Sequence, residues 1–115
     1  MNKLDNKQQN IISYIRTHSY FLKLTTFQRN VFDFMCRMFQ VDRMSYFNSN
    51  ALLLAFGNKP NFLFLDLYIN PSLKCAGKIR VYSSDFMGSE EFCNNYIQFK
   101  TLIAQKMQEL NIITE

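Results

Sequence analysis

Five side chains in this chain have the chemical character to do more than pack: His18, Cys36, Cys75, Cys93 and Asp66. His18 is the only histidine, so general acid or base chemistry near neutral pH would fall to it first. A thiol activated by that imidazole would need Cys36 or Cys93 beside it. The spacing argues against this use. Ile11, Tyr14, Ile15 and His18 fall at i, i+3, i+4 and i+7, one apolar helix face, which reads His18 as a packed, hydrogen-bonded side chain. Cys36 and Cys93 sit among phenylalanines at helical spacing and read as core. Cys75 lies in a loop and is the thiol expected to be accessible. One histidine and no Cys-x-x-Cys give no zinc-binding set, and Gly57, Gly77 and Gly88 stand too far apart for a phosphate loop. No cofactor, no metal and no catalytic set are expected, and the chain is read as a non-enzyme.

Asp66 is set in a different context. In Phe62-Leu63-Phe64-Leu65-Asp66-Leu67-Tyr68-Ile69, period two separates an aliphatic set (Leu63, Leu65, Leu67, Ile69) from an aromatic one (Phe62, Phe64, Tyr68) that also carries Asp66. A second run, 78–84, places Ile79 and Val81 on one side and Lys78, Arg80 and Tyr82 on the other. If the two runs pair, Asp66 shares a face with Lys78 and Arg80, either of which could form a cross-strand ion pair with it. The candidate binding surface is therefore Asp66, Tyr68, Lys78, Arg80 and Tyr82, with Lys74 in the adjoining loop. Faces that mix aromatics with cations suit protein partners, and they also suit single-stranded nucleic acid. A helix lying over this face would instead make its aromatics core.

The elements that would hold this surface follow from local pattern. A helix is expected over about 7–17, capped by Asp5 or Asn6. A second has capping-box spacing at Thr25 and Gln28 and a main stripe of Phe27, Val31, Phe34, Met35 and Met38, widened by Phe32, Cys36 and Phe39. Asp33 and Arg37 are spaced for an i,i+4 pair. Residues 45–56 fit either a helix ending at Gly57 or a buried strand, and the turn-forming Gly57-Asn58-Lys59-Pro60-Asn61 favours the strand. A last helix is expected with Ser89 as its cap, Glu90 and Glu91 in its first turn, and a stripe of Phe92, Tyr96, Phe99, Ile103, Met107 and Leu110. The expected class is α+β in the order α-α-β-β-β-α, a three-stranded antiparallel meander packed with helices. The alternative is a winged-helix-like α-α-α-β-β-α chain, which requires 45–56 to be helical.

Composition bounds the rest. At 115 residues and 48% hydrophobic, a single domain (1–115) with one core is expected. Three scattered cysteines argue for a reducing compartment, and a polar start with no long apolar run argues against a leader or a membrane anchor. The expected location is cytoplasmic. The net charge of +4 is uneven: residues 1–60 carry eight Lys/Arg against three Asp/Glu, and residues 61–115 carry five against six. The basic half could attract an acidic protein surface or nucleic acid. Twelve Phe, six Tyr and abundant Asn suggest A/T-rich coding, as in a mobile element. These features together suggest a small non-catalytic binding protein, an inhibitor or immunity-type protein that blocks a cytoplasmic partner. The alternative is a nucleic-acid-binding domain.

Overall fold

The computed structural model describes residues 6–58, 61–83 and 91–110. Helix α1 spans Asn6–Thr17, a 3-10 helix follows at Ser19–Lys23, and α2 spans Thr26–Met38. Five strands come next: β1 Val41–Phe47, β2 Ala51–Asn58, β3 Asn61–Tyr68, β4 Ile79–Ser83 and β5 Glu91–Cys93. Helix α3, Tyr96–Leu110, ends the described chain. The strands form one antiparallel sheet in the order β1-β2-β3-β4-β5. The class is α+β, but the meander has five strands rather than three. No described helix is long and apolar enough to cross a membrane.

The ambiguous segment 45–56 resolves into the end of β1, a tight turn and most of β2, which removes the winged-helix order. The turn is built by asparagines. Asn48 Oδ1 accepts from the N–H groups of Asn50 (2.8 Å) and Ala51 (3.2 Å), an Asx-turn that reverses the chain. β1 was not legible because its ladder shifts register between Val41 and Arg43 and again between Met44 and Tyr46. Two irregularities in seven residues erase the period-two signal. β5 is only three residues long, too short to show any period.

The last helix begins later than expected. Ser89 and Glu90 lie outside the described residues, and Phe92 belongs to β5 rather than to the helix. The capping is done by Asn95, whose Oδ1 accepts from Gln98 N at 2.9 Å, while Gln98 Oε1 accepts from Asn94 N at 2.9 Å. Phe99, Leu102 and Ile103 are the buried apolar side chains of α3, while Tyr96 is partly buried. The expected stripe members Met107 and Leu110 have side chains outside the description.

Helix α2 forms the capping box read from its sequence: Thr25 Oγ1 accepts from Gln28 N (3.1 Å) and Gln28 Oε1 accepts from Thr25 N (3.0 Å). Gln28 does more than cap. It is fully buried, and its Nε2 donates to the carbonyls of Tyr68 (2.7 Å) and Lys78 (3.1 Å). One side chain thus fastens the start of α2 to the adjoining ends of β3 and β4. The innermost face of α2 is Gln28, Val31, Phe32, Met35 and Cys36, with Phe27, Phe34 and Met38 only partly buried. The expected Asp33–Arg37 pair gives way to Arg16–Asp33 at 2.7 Å, which joins α1 to α2, while Arg37 lies over the Phe34 ring.

The helices contribute to one core with Leu52, Leu54, Phe56, Leu63, Leu65, Leu67, Ile79 and Val81. The opposing pairs Leu54↔Leu65↔Val81 and Leu52↔Leu67↔Ile79 put these on one face of the sheet, as the alternation in the sequence requires. The loop from β3 to β4 returns through Gly77, whose φ of +80° is open to glycine without strain, and Gly77 N donates to Tyr68 O at 3.0 Å.

Candidate interaction surface

The other face of the sheet collects its residues by the same alternation. Reading across opposite partners gives Tyr46, Leu53, Asp66, Arg80 and Phe92 along one row and Arg43, Ala55, Phe64 and Tyr82 along the next. Phe62 and Tyr68 extend β3's contribution. None of Tyr46, Leu53, Phe64, Tyr68, Tyr82 or Phe92 belongs to the helix-side core. Tyr46 is 37% exposed and Phe92 50% exposed, so rings at both ends of the first row reach solvent.

At the centre lies Asp66, with no exposed surface. Burial of a carboxyl group is unfavourable unless its oxygens are satisfied. Three neighbours do this: Tyr46 Oη donates to Oδ1 at 2.7 Å, Tyr68 Oη approaches Oδ2 at 3.5 Å, and the Arg80 guanidinium pairs with Oδ2. Of the two cations considered from sequence, Arg80 is the partner. Lys78 is exposed one position beyond the ladder, where its carbonyl accepts from Tyr68 N at 3.3 Å. Burial, reinforced by the bond to Asp66, raises the Tyr46 phenol well above its ordinary range. Burial and then the Asp66 charge push Tyr68 up to about 12. Both phenols therefore stay protonated as donors to Asp66 at neutral pH.

The second row is organised by rings. Phe64 and Tyr82 stack nearly parallel, with centroids 5.1 Å apart and 14° between planes. The Arg43 guanidinium lies 5.4 Å from the Phe62 centroid and 5.7 Å from that of Phe64, and Arg80 lies 4.6 Å from that of Tyr82. Such contacts contribute about 0.5–1 kcal/mol each when exposed and more when desolvated. They place both guanidinium groups over rings of this face. Tyr68 and Phe92 form a looser stack at 6.4 Å. Arg43 is also paired with Asp42 at 2.9 Å. The two arginines are thus matched by Asp42 and Asp66, and the face presents rings and planar cations with little net charge.

Of the residues proposed from sequence, Asp66, Tyr68, Arg80 and Tyr82 share this face, and Lys78 borders it. Lys74 is exposed in the β3–β4 loop, beside the end of the surface rather than on it. Neither lysine has a carboxylate partner among the described residues. Arg43, Tyr46 and Phe92 were missed: Arg43 precedes the run 45–56, Tyr46 lies where that run splits into two strands, and Phe92 reads from sequence as part of the last helix. The Asn48-Ser49-Asn50 cluster between two apolar runs was the available sign of a hairpin there.

The potential catalytic groups are placed elsewhere. His18 Nδ1 accepts from Tyr20 N at 3.2 Å and so caps the 3-10 helix, and its ring is flanked by Tyr14, Tyr20 and Phe47 at 4.9–5.4 Å. Cys36 and Cys93 are buried and Cys75 is partly exposed, and all three are free thiols. Burial pushes the Cys36 thiol up to about 12, the opposite of activation. No group of three or more potential metal-ligating side chains occurs among the described residues. No family model matches the chain, and neither a curated protein nor a solved structure shows significant similarity to it.

Proposed function

We propose that this protein is a small non-catalytic binder of the inhibitor or immunity type, which blocks a cytoplasmic protein partner with the aromatic face of its sheet. The observation that carries the reading is the cluster of Tyr46, Phe64, Tyr68, Tyr82 and Phe92 with the guanidinium groups of Arg43 and Arg80 held over its rings. Protein interfaces concentrate binding energy in Tyr and Arg anchors that lose little side-chain freedom on binding. Here the rings are already stacked and the arginines already fixed. Lys74 and Lys78 at the border suit acidic groups at the partner's rim, where charges steer association more than they hold the complex.

Single-stranded nucleic acid is the second reading, favoured by the same two lysines beside Tyr68. The internal pairing of Arg43 and Arg80 weighs against it, since phosphate binding draws on uncompensated cations. The test is to isolate the partner from the native host with tagged wild-type protein. Its affinity for wild type, Phe92→Ala and Tyr82→Ala is then measured at two salt concentrations. A loss of about 2 kcal/mol or more for at least one variant, with the fold intact, supports the proposal. Equal affinity for all three proteins would sink it. Nucleic acid as the retained species, with affinity falling steeply in salt, would establish the second reading.

A further inference from the structure

The excess positive charge of the described residues lies in the helices. They carry seven Lys/Arg against two Asp/Glu, whereas the sheet and its loops carry four against three. The outward stripe of α2 is Arg29, Asp33 and Arg37, at i, i+4 and i+8, with exposed Asn30 beside it. A local pairing would neutralise Arg37 with Asp33, but Asp33 is taken by Arg16 of α1. Neither Arg29 nor Arg37 then has a carboxylate partner among the described residues. Arg37 lies 5.9 Å from the Phe34 centroid, Phe34 meets Tyr96 of α3 edge-on at 6.3 Å, and Lys100 Nζ lies 5.2 Å from the Tyr96 centroid. Lys100 also has no carboxylate partner among the described residues. A set of unmatched cations thus runs across α2 onto α3, in the layer opposite the aromatic sheet face.

The character of this surface selects its occupant. Unmatched cations spread over two helices suit a polyanion rather than one small anion. A protein partner draws its binding energy from an apolar or aromatic anchor. No large apolar side chain of α2 is exposed. Unpaired bases need free ring faces on which to stack. Phe34 and Tyr96 are partly buried, and each already carries a cation. Phosphate contacts need neither, since counterion release from the backbone drives them. Arg29 and Arg37, about 12 Å apart along the axis of α2, can meet separate phosphates. We propose that the α2–α3 face of the helix layer binds the phosphate backbone of duplex nucleic acid without regard to sequence. Arg29, Arg37 and Lys100 make the contacts, while Asp33 opposes them and occupies Arg16. This inference does not depend on what the aromatic face binds.

Fluorescence anisotropy of the full chain with labelled DNA and RNA duplexes of about 20 base pairs, at salt from about 20 to about 150 mM, tests it. The expected result is binding that weakens with salt at a log–log slope of about −3, for three phosphates neutralised. Arg29→Ala combined with Arg37→Ala should lower the affinity at low salt at least about tenfold and reduce the slope by about two. Asp33→Asn should act in the opposite sense and tighten binding about threefold, because it removes a repelling charge and releases Arg16. These side chains are at the surface, so circular dichroism should show an unchanged fold. Phe92→Ala and Tyr82→Ala should bind like wild type. No binding of either duplex at low salt, wild-type affinity in the arginine variant, or weaker binding by Asp33→Asn would each overturn the inference. So would a loss confined to Phe92→Ala or Tyr82→Ala, or competition by poly-glutamate as strong as that by unlabelled duplex at equal charge.

Discussion

Leu65 and Asp66 are neighbours in the chain, both without exposed surface, on opposite faces of the same strand. Leu65 is buried because the helices cover its face, and it exchanges water for dispersion contacts in a packed core. Asp66 is buried because side chains of its own face fold over it, and two phenols and a guanidinium replace its water. The first face is held by area and shape, which tolerate no change in volume. The second is held by a small number of directional bonds around one carboxyl group, which leaves the rings at its margin available to a partner. The difference separates a face closed by the helices from one whose marginal rings, Tyr46 and Phe92, reach solvent.

Truncation on the helix side is the harshest test. Leu65→Ala is expected to lower the unfolding free energy by about 2–5 kcal/mol, read by urea denaturation. A smaller loss than at the margin of the aromatic face would contradict the division. Asp66→Ala comes next, at about 3 kcal/mol, because it breaks the buried pair with Arg80 and removes the acceptor of the Tyr46 phenol. Arg80→Ala should be of similar severity, so Arg80 is not a residue to truncate when only binding is to be probed. Gln28→Ala should cost about 2–3 kcal/mol, more than a helix cap alone, since the carbonyls of Tyr68 and Lys78 also lose their buried donor.

Alkaline pH probes both sides together. Cys36 under the helices is raised from 9.0 to about 12, and Tyr68 on the aromatic face from 10.0 to about 12. The native state therefore keeps protons that the unfolded chain releases near pH 9 and 10. The stability these two groups contribute is fully present below their unfolded values and is lost as pH rises toward 12. Urea titrations across this range should show the decline. Cys36→Ala should shift its onset upward toward the tyrosine range, and an unchanged onset would remove Cys36 from the account. The smallest effect is expected at the margin: Phe92→Ala, half-exposed, should change the stability of the single chain by about 1 kcal/mol or less.

Some of this organisation is legible from short windows of sequence. The alternation of Phe62 to Ile69, the Thr25–Gln28 box and the burial of Cys36 all follow from contacts two to four residues apart or from hydropathy alone, whereas Cys93 is buried on β5 rather than on the helix expected. β1 and β5 were not legible, the first because its bulges break the period and the second because three residues carry none. The start of α3 was misplaced because Ser89 and Asn95 are both good caps by type. The choice between them depends on β5 pairing with β4, which occupies the residues a longer helix would need.

The chain alone determined that Asp66 must share a face with Phe62, Phe64 and Tyr68, because strand geometry has period two whatever surrounds it, and it left Lys78 and Arg80 as the cations that could reach it if the strands paired. It also determined that Gln28 would close a helix start. Only the tertiary structure decided that Arg80 rather than Lys78 meets Asp66, that Tyr46 reaches it from twenty residues away, and that Gln28 also spans to β3 and β4. Local geometry fixes which way a side chain points. What it meets there depends on which strands become neighbours and in what register, and that is settled by burying the helix-side leucines all at once.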